Sequence, residues 1–275
     1  MYLRLLTCAI AAIMARVAFA VNSPSVLGIG RPTHGNSSNS AVSNGVGVPY
    51  YTDNWSGLSI TKTPEVGISF VQGNFTIPNF PQINNDTWMR IAIQLDGSLE
   101  CDTSWLTVGI AIDGSLPESE RYSAFWQFNN ETTHFLNSSF PLSPGDDIGL
   151  QIIPHSTTSA NIEIYNAMTN MRHVSDSSSD QPTCLVSADW VMQAYHDQVA
   201  SGEWDLYFNT TKWGTSDGKV WTAGLGNGPA TEHLCQLMVP PSDDPNGSPE
   251  FDVWCYMTDS WGPRPGQLRC VRHAN

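Results

Sequence analysis

Five carboxylates lie in or beside strands predicted from the sequence, and they are the chain's candidates for acid–base chemistry. They are Asp96, Asp113, Asp147, Glu163 and Asp189. Two carboxylates that meet on one face of a sheet can act as general acid and general base in the hydrolysis of peptide or glycosidic bonds. Asp189 is the hardest to dismiss, because Ala188, Trp190 and Val191 around it are apolar and an unpaired charge among them would be costly.

Three of the other carboxylates have structural interpretations. Asp96 and Asp113 each precede a glycine, which is typical of turns, and Glu163 takes the solvent-facing side of an alternating strand. Glycoside hydrolysis needs two carboxylates about 5–10 Å apart. If the chain performed that chemistry, Asp189 and Asp96 would be the pair.

No other motif in the sequence predicts a catalytic or cofactor site. Residues 214–218 match G-x-S-x-G, but a nucleophile elbow needs a strand followed by a helix, and Asp217-Gly218 predicts a hairpin instead. The seven histidines are scattered singly, and no Cys or His cluster has the spacing of a zinc site. We therefore expect neither a metal nor a cofactor.

The first 20 residues have the pattern of a secretory signal peptide. Arg4 precedes an apolar run that ends in Ala18-Phe19-Ala20, a cleavage pattern. An uncleaved anchor is the alternative, but the run is shorter than the ~20 apolar residues of a membrane span. We expect a secreted, extracellular protein that does not bind membranes.

Charge and cysteine content agree with that location. Loss of the two leader cations, Arg4 and Arg16, takes the formal net charge from −14 to −16, and such a surface repels nucleic acid. An acidic surface also suits acidic surroundings, where protonation of carboxylates lowers self-repulsion. Five cysteines follow the leader and are disulfide candidates, and the odd number leaves at least one thiol free or bonded to another chain.

Six N-x-S/T sequons within the predicted domain are candidate N-glycosylation sites. They are Asn54, Asn74, Asn85, Asn130, Asn137 and Asn209. A chain rich in Ser, Thr and Asn also forms such triplets by chance.

From Tyr50 onward, short runs rich in Val, Ile, Phe, Trp and Thr alternate with clusters of Gly, Pro, Asn and Asp. This pattern predicts an all-β protein, an antiparallel β-sandwich of two sheets. We expect a flexible leader or pro-segment over residues 21–49 and the sandwich over residues 50–239. Residues 240–275 are rich in Pro and Gly, and we expect an extended wrap held by Cys255 or Cys270.

Six short stretches occur in the same order as in a known family. They are NWSG at 54–57, GNFTIP at 73–78, LDG at 95–97 followed by Cys101, YSAFW at 122–126, SPGDDI at 143–148 and CLVSADW at 184–190. Together they make residues 54–195 resemble the fungal glutamic peptidases, or eqolisins. The C-terminal third of the chain matches poorly.

The resemblance implies a concanavalin A-like, lectin-like sandwich with acid endopeptidase activity. In the family, a Glu acts on a bound water as general base and then general acid, and a Gln holds the water and the developing oxyanion. The resemblance also implies that Cys101 pairs with Cys184. We expect the partner to be a polypeptide substrate or ligand and the protein to be a monomer.

Both catalytic positions depart from the family pattern. The Glu position falls on Asp189, one methylene shorter, and the Gln position falls on Thr107. Gln94 and Gln127 are alternative partners that could complete the site.

Two hypotheses follow from these substitutions. The first is a secreted acid endopeptidase with an altered dyad, and the second is a non-catalytic lectin-like or peptide-binding protein. In either, aromatic residues and one Asp are expected to line a cleft on the concave face. They are Trp55, Trp88, Asp96, Trp105, Trp126 and Trp190.

Overall fold

Strands dominate the part of the chain that the structure describes. The structure is a computed structural model, and it describes residues 50–52, 55–61, 67–97, 101, 104–194, 198–223, 230–238, 251–258 and 267–272. The strands are β1 (Tyr50–Thr52), β2 (Trp55–Thr61), β3 (Ile68–Thr76), β4 (Trp88–Asp96), β5 (Trp105–Asp113), β6 (Tyr122–Phe128), β7 (His134–Phe135), β8 (Asp147–Ser156), β9 (Ser159–Asn166), β10 (Met171–Ser178), β11 (Ser187–Gln193), β12 (Trp204–Thr215), β13 (Val220–Thr222), β14 (Thr231–Met238), β15 (Phe251–Met257) and β16 (Leu268–Arg272). Two short 3₁₀ helices span Glu118–Glu120 and Asn137–Ser139. Neither of these described helices could cross a membrane.

Some predictions fall outside the described residues. These are the signal peptide over residues 1–20, the pro-segment over residues 21–49 and the sequon at Asn54.

The strands form two sheets, and the path of hydrogen-bonded strands is continuous from one to the other through β14 and β15. The front sheet has the order β14-β2-β11-β4-β5-β6-β7, and the back sheet has the order β10-β9-β8-β3-β12-β16-β15. Strand β1 pairs parallel to β14, while the neighbouring strands within both sheets run antiparallel. This confirms the predicted antiparallel sandwich of two sheets.

The core lies between the two sheets. Because successive side chains of a strand point to opposite faces, one set of each strand packs inward. Ile93, Val108 and Trp190 of the front sheet join one apolar cluster with Val71 and Phe208 of the back sheet. The opposite face of the front sheet, which we call the outer face, carries its own small apolar cluster and most of the polar candidates.

The C-terminal region differs from the expected extension. Strands β15 and β16 pair with each other, β16 also pairs with β12, and β15 also pairs with β14. A disulfide joins Cys255 to Cys270 directly across this pair. Residues 251–257 and 268–272 are therefore part of the sandwich rather than a wrap outside it. Each of these two strands is short. Its apolar side chains have a core to pack against only because the pair lies between β12 and β14.

Candidate active site

A row of polar side chains crosses the outer face of the front sheet. Five residues on five neighbouring strands stand directly opposite one another in register: Ser59 on β2, Asp189 on β11, Gln94 on β4, Thr107 on β5 and Gln127 on β6. Residues directly opposite on antiparallel strands project to the same face, with Cβ atoms about 4.5–5.5 Å apart. The sheet thus collects Asp189 and its three candidate partners into one line, which we call the polar row.

Gln94 is the immediate neighbour of Asp189 in this row. The pair Asp189–Gln94 is one register position of the β11–β4 ladder, with no strand between them. Asp189 is 0% exposed and Gln94 is 6% exposed. A carboxylate and a primary amide are therefore held side by side in a site that excludes bulk water, where electrostatic interactions are strong.

The Gln94 amide is fixed by three hydrogen bonds. Thr107 Oγ1 donates to Gln94 Oε1 at 2.9 Å, and Gln193 Nε2 donates to the same oxygen at 3.3 Å. Gln94 Nε2 donates to the main-chain oxygen of Asp96 at 2.6 Å. A primary amide has two N–H donors. The second N–H of Gln94 has no acceptor among the described residues and is therefore available to a ligand.

Thr107 and Gln127 take supporting positions. The Thr107 hydroxyl is committed to Gln94, and it lies one strand farther from Asp189 than Gln94 does. Gln127 Oε1 accepts from Arg90 and from Thr133, and Gln127 Nε2 donates to the main-chain oxygen of Glu131. Of the three candidate partners, only Gln94 is adjacent to Asp189.

Asp96 does not line a cleft as an acid. Its Oδ2 accepts the main-chain N–H groups of Cys184 and Leu185, and its Oδ1 accepts those of Val186 and Ser187, all at 2.7–3.0 Å. Burial raises the pKa of the Asp96 carboxyl above its ordinary value, and these four donors oppose that rise. Both oxygens are occupied, so the expected cleft role of Asp96 and its glycosidase pairing with Asp189 are wrong. Its role is to hold the segment that leads into β11.

The predicted cleft tryptophans divide between the two faces of the front sheet. Trp55, Trp88 and Trp105 share the outer face with the polar row. Trp190 is 0% exposed in the core between the sheets, where its Nε1 donates to the main-chain oxygen of Gln72. Trp126 lies on the inner face at the edge of the sandwich.

Trp126 is stacked between His134 and His173. The cleft role expected for Trp126 and Trp190 is therefore wrong. The reason is strand period: each is one residue away from an outer-face position, Gln127 and Asp189 respectively, and so points inward.

A disulfide joins Cys101 to Cys184, as the resemblance implies. It ties the residues after β4 to the same segment that Asp96 holds, next to the start of β11. A carboxylate oxygen of Asp96 and the sulfurs of Cys101 and Cys184 lie within 4.8 Å of one another. Both sulfurs are already bonded, so this group of described residues does not offer the thiolates that a metal site would use.

The remaining carboxylates lie away from the polar row. Asp147 and Glu163 belong to the back sheet, where Glu163 pairs with Arg172. Asp113 accepts the main-chain N–H of Ser115 in the turn after β5.

The sequons fall at different depths of the surface. Asn85, Asn130 and Asn209 are exposed, Asn74 is half-buried on β3, and Asn137 begins a 3₁₀ helix. Glycosylation at these positions stays a prediction.

Two polar residues of the outer face were missed from the sequence. Gln193 donates to Gln94, and Arg90 donates to Gln127. The two-residue period of side chains along a strand could have identified both residues. Arg90 lies four residues before Gln94, and Gln193 lies four residues after Asp189. Even spacings keep a side chain on the same face of a strand.

Comparison with known proteins identifies the family. The model of the peptidase A4 family matches residues 53–231. The chain belongs to the peptidase A4 family. No curated protein sequence matches this A4 family chain.

Solved structures share the fold of this A4 family member. Scytalido-glutamic peptidase with a transition state analog inhibitor gives a TM-score of 0.61 at 17% identity, covering 80% of this chain and 98% of that chain. The same enzyme with a peptide-based transition state analog gives 0.59 at 14% identity over the same shares of the two chains. SCP-B, a member of the Eqolisin family bound to the tripeptide Ala-Ile-His, gives 0.56 at 15% identity, again over 80% and 98%. The family and the fold implied by the six sequence stretches are confirmed.

Proposed function

We propose that this A4 family member is a secreted, glycosylated, monomeric acid endopeptidase whose altered dyad is Asp189 and Gln94. The observation that supports it is their direct opposition on β11 and β4. Thr107 and Gln193 act as positioning residues, because both donate to the carbonyl oxygen of the Gln94 amide and turn its amino group toward the ligand.

The proposed reaction uses one proton carrier. The Asp189 carboxylate takes a proton from water while the water oxygen bonds to the carbonyl carbon of the peptide. The free N–H of Gln94 donates to the oxyanion that forms. Asp189 then gives its proton to the leaving nitrogen as the C–N bond breaks. General acid–base catalysis contributes about 10²–10⁴-fold, and one oxyanion donor about 10²–10³-fold.

The non-catalytic alternative is favoured by one observation, which is the burial of the polar row. Asp189 and Thr107 are 0% exposed. A substrate reaches this row only if the outer face opens, whereas a lectin-like or peptide-binding relative has no need to expose it.

Proteolysis at acid pH separates the two functions. Wild type should cleave casein or denatured haemoglobin between about pH 2 and pH 5, the range in which a carboxylate dyad works. Asp189→Asn should lose about 10²-fold or more of the rate. Asp176→Asn, which changes an exposed carboxylate on β10, is the matched control and should keep the wild-type rate. A wild type that cleaves no faster than Asp189→Asn would leave the non-catalytic protein as the answer.

Lengthening the carboxylate gives a second test. Asp189→Glu adds one methylene, and a misplacement of about 1 Å can cost about 100-fold in rate. We expect Asp189→Glu to raise kcat by about 10-fold or more on the same substrate. A lower kcat in a folded variant would mean that Asp189 already has the right reach.

A further inference from the structure

The outer face contains a buried cation, Arg90, that forms no ion pair with a carboxylate of the described residues. Arg90 on β4 is 1% exposed, and burial lowers its pKa only to about 10, so the guanidinium is charged at acid and neutral pH. The ion pairs of the described residues involve other cations: His155, Arg172, Lys219 and Arg269. A buried charge without a counter-charge is costly and is normally paired.

Neutral groups hold this guanidinium in one orientation. Its carbon lies 4.7 Å from the centre of the Trp88 ring and 4.6 Å from that of Phe125. Nη1 donates to Gln127 Oε1 at 3.0 Å, and Nη2 lies 3.4 Å from Thr133 Oγ1. Cation–π contacts and two neutral acceptors orient Arg90, but they leave its charge uncompensated.

One edge of the guanidinium has no acceptor among the described residues. Arg90 Nε is buried and makes no hydrogen bond to any described residue. Arg172 on the back sheet shows what this edge can do, because its Nε and Nη2 hold the two oxygens of Glu163 at 2.6 Å and 2.8 Å. The fork of Nε and Nη2 matches the two oxygens of a carboxylate.

The Nε edge of Arg90 lies within reach of a peptide bound at Asp189 and Gln94. Arg90 shares the outer face with Gln94 and lies four residues before it on β4. Its side chain reaches back to Gln127, which is two strands from Gln94 in the polar row. Neighbouring strands are about 4.8 Å apart, so the guanidinium lies roughly 10 Å from Gln94. An extended peptide covers that distance in about three residues.

We propose that, once the outer face opens to the substrate, the unpaired Nε edge of Arg90 binds a carboxylate of the peptide, two or three residues from the bond that is cleaved. This inference rests on the proposed peptidase function and adds a substrate class to it, peptides with an acidic side chain or a free C-terminus at that distance. Arg90 is then a specificity-determining residue. It binds the carboxylate with a charge that no ion pair of the described residues compensates.

Pairs of peptides that differ in one charge test the proposal on the secreted protein. One pair exchanges Glu for Gln at each position along an otherwise neutral peptide, and a second pair exchanges a free C-terminus for a C-terminal amide. The assay is run near pH 5, where a Glu carboxyl with a pKa of about 4.3 is mostly ionised. Wild type should favour the carboxylate by about 10-fold or more in kcat/KM at one position, mainly through KM. The pair that shows the preference identifies the source of the carboxylate.

Variants separate the charge from its geometry. Arg90→Met should abolish the preference, so that kcat/KM becomes equal for the two peptides of each pair. Arg90→Lys keeps the charge without the fork and should retain only part of the preference. Arg172→Met removes a guanidinium from the back sheet and is the matched control, with the wild-type preference unchanged. If Arg90→Met does not fold, the comparison of peptide pairs on wild type still decides.

Equilibrium binding of the peptide pairs distinguishes the proposed Arg90 site from the proposed peptidase activity. Carboxylate-selective binding without turnover would support the Arg90 site and reject the peptidase. Turnover with equal rates on Glu and Gln peptides, or on acid and amide termini, would support the peptidase and overturn the Arg90 site. A loss of stability in Arg90→Met with an unchanged preference would also overturn it, since Arg90 would then serve only to hold Gln127 and Thr133.

Discussion

Two buried aspartates near the same end of the β4–β11 ladder have different hydrogen-bonding surroundings. Asp96 ends β4 and receives four main-chain N–H groups from residues 184–187. Asp189 lies two residues beyond that segment, within β11, and faces the Gln94 amide. Asp96 also has a left-handed backbone, with a φ of 60°, and so does Leu185, at 57°. The carboxylate of Asp96 holds the strained approach to β11 in place, and β11 in turn positions Asp189.

Removing one oxygen of Asp96 should therefore destabilise the fold. Asp96→Asn replaces an oxygen that accepts two N–H groups with an amino group that accepts none. We expect the free energy of unfolding to fall by roughly 2–5 kcal/mol, because hydrogen bonds to a charged group contribute about 1.5–3 kcal/mol each. Denaturant unfolding measures it.

The matched control is Asp113→Asn, which changes another Asp-Gly turn after a strand. Asp113 accepts from Ser115 in an exposed turn, so that change should stay within about 0.5 kcal/mol. Equal losses in the two variants would contradict a structural role specific to Asp96.

At the residue scale, the sequence indicated Asp189 but not its partner. The apolar neighbours and the resemblance both point to this carboxylate. The choice among Thr107, Gln94 and Gln127 depends on the register of four strands, and pairing register is set by long-range packing. Asp96 precedes a glycine, a pattern typical of turns. Nothing local in the sequence indicates its hydrogen bonds to the segment from Cys184 to Ser187, which lies 88 to 91 positions farther along the chain.

At the scale of elements, a ring stack joins the two sheets at one edge. Trp126 of β6 lies 4.8 Å from His134 of β7 and 5.2 Å from His173 of β10, measured between ring centres. His173 belongs to the back sheet and the other two rings to the front sheet. Burial lowers the pKa of the His173 imidazole below its ordinary value.

This stack should make stability depend on pH. Because the unfolded chain binds a proton at His173 more readily than the folded chain does, the contribution of His173 is fully present above about pH 6.5 and is lost as pH falls through the lowered pKa. His173→Phe keeps a ring against Trp126 without a titrating group. We expect a smaller loss of stability below pH 6.5 in this variant, measured by denaturant unfolding at several pH values.

The control for this change is Val174→Thr, at the exposed neighbour on the same strand, and it should keep the wild-type pH slope. If His173→Phe and wild type show the same slope, His173 does not contribute to the pH dependence.

Most elements could be predicted because apolar and polar residues alternate within them. The β pattern of the flanking runs favours a strand over a short helix in the segment after Cys184, and Ser187–Gln193 forms the strand β11. The C-terminal strands could not be predicted in the same way. Cys255 and Cys270 are core residues of β15 and β16, but each strand is short and has no core without β12 and β14 beside it.

At the scale of the whole molecule, the C-terminal pair of strands closes the sandwich. In the hydrogen-bonded order, β16 and β15 stand between β12 of the back sheet and β14 of the front sheet. Val253 and Leu268 on these strands are 0% exposed, as is Phe208 on β12. The two strands therefore contribute buried side chains to the core and also connect the two sheets by hydrogen bonds.

A chain that ends at residue 239 should not fold. It would lose the β16 partner of β12 and leave the apolar side chains around Phe208 in water, where burial of each large apolar side chain contributes about 1.5–3 kcal/mol. We expect no cooperative thermal transition by circular dichroism and little secreted protein. A matched full-length variant, Met168→Thr, alters an exposed side chain in a turn and should behave as wild type. A cooperative transition in the shortened chain would show that residues 50–239 are a domain on their own.

The proposed peptidase activity requires Asp189 and Gln94 to act as one unit, and a double-mutant cycle measures this most directly. Asp189→Asn, Gln94→Ala and the combination are compared with wild type by kcat/KM on one peptide at about pH 4. Residues that act together in catalysis show strongly non-additive losses.

We predict that each single variant loses about 10²-fold or more, and that the double variant loses little beyond the worse of the two. Losses that multiply in the double variant, or a Gln94→Ala enzyme as fast as wild type, would contradict the Asp189–Gln94 dyad.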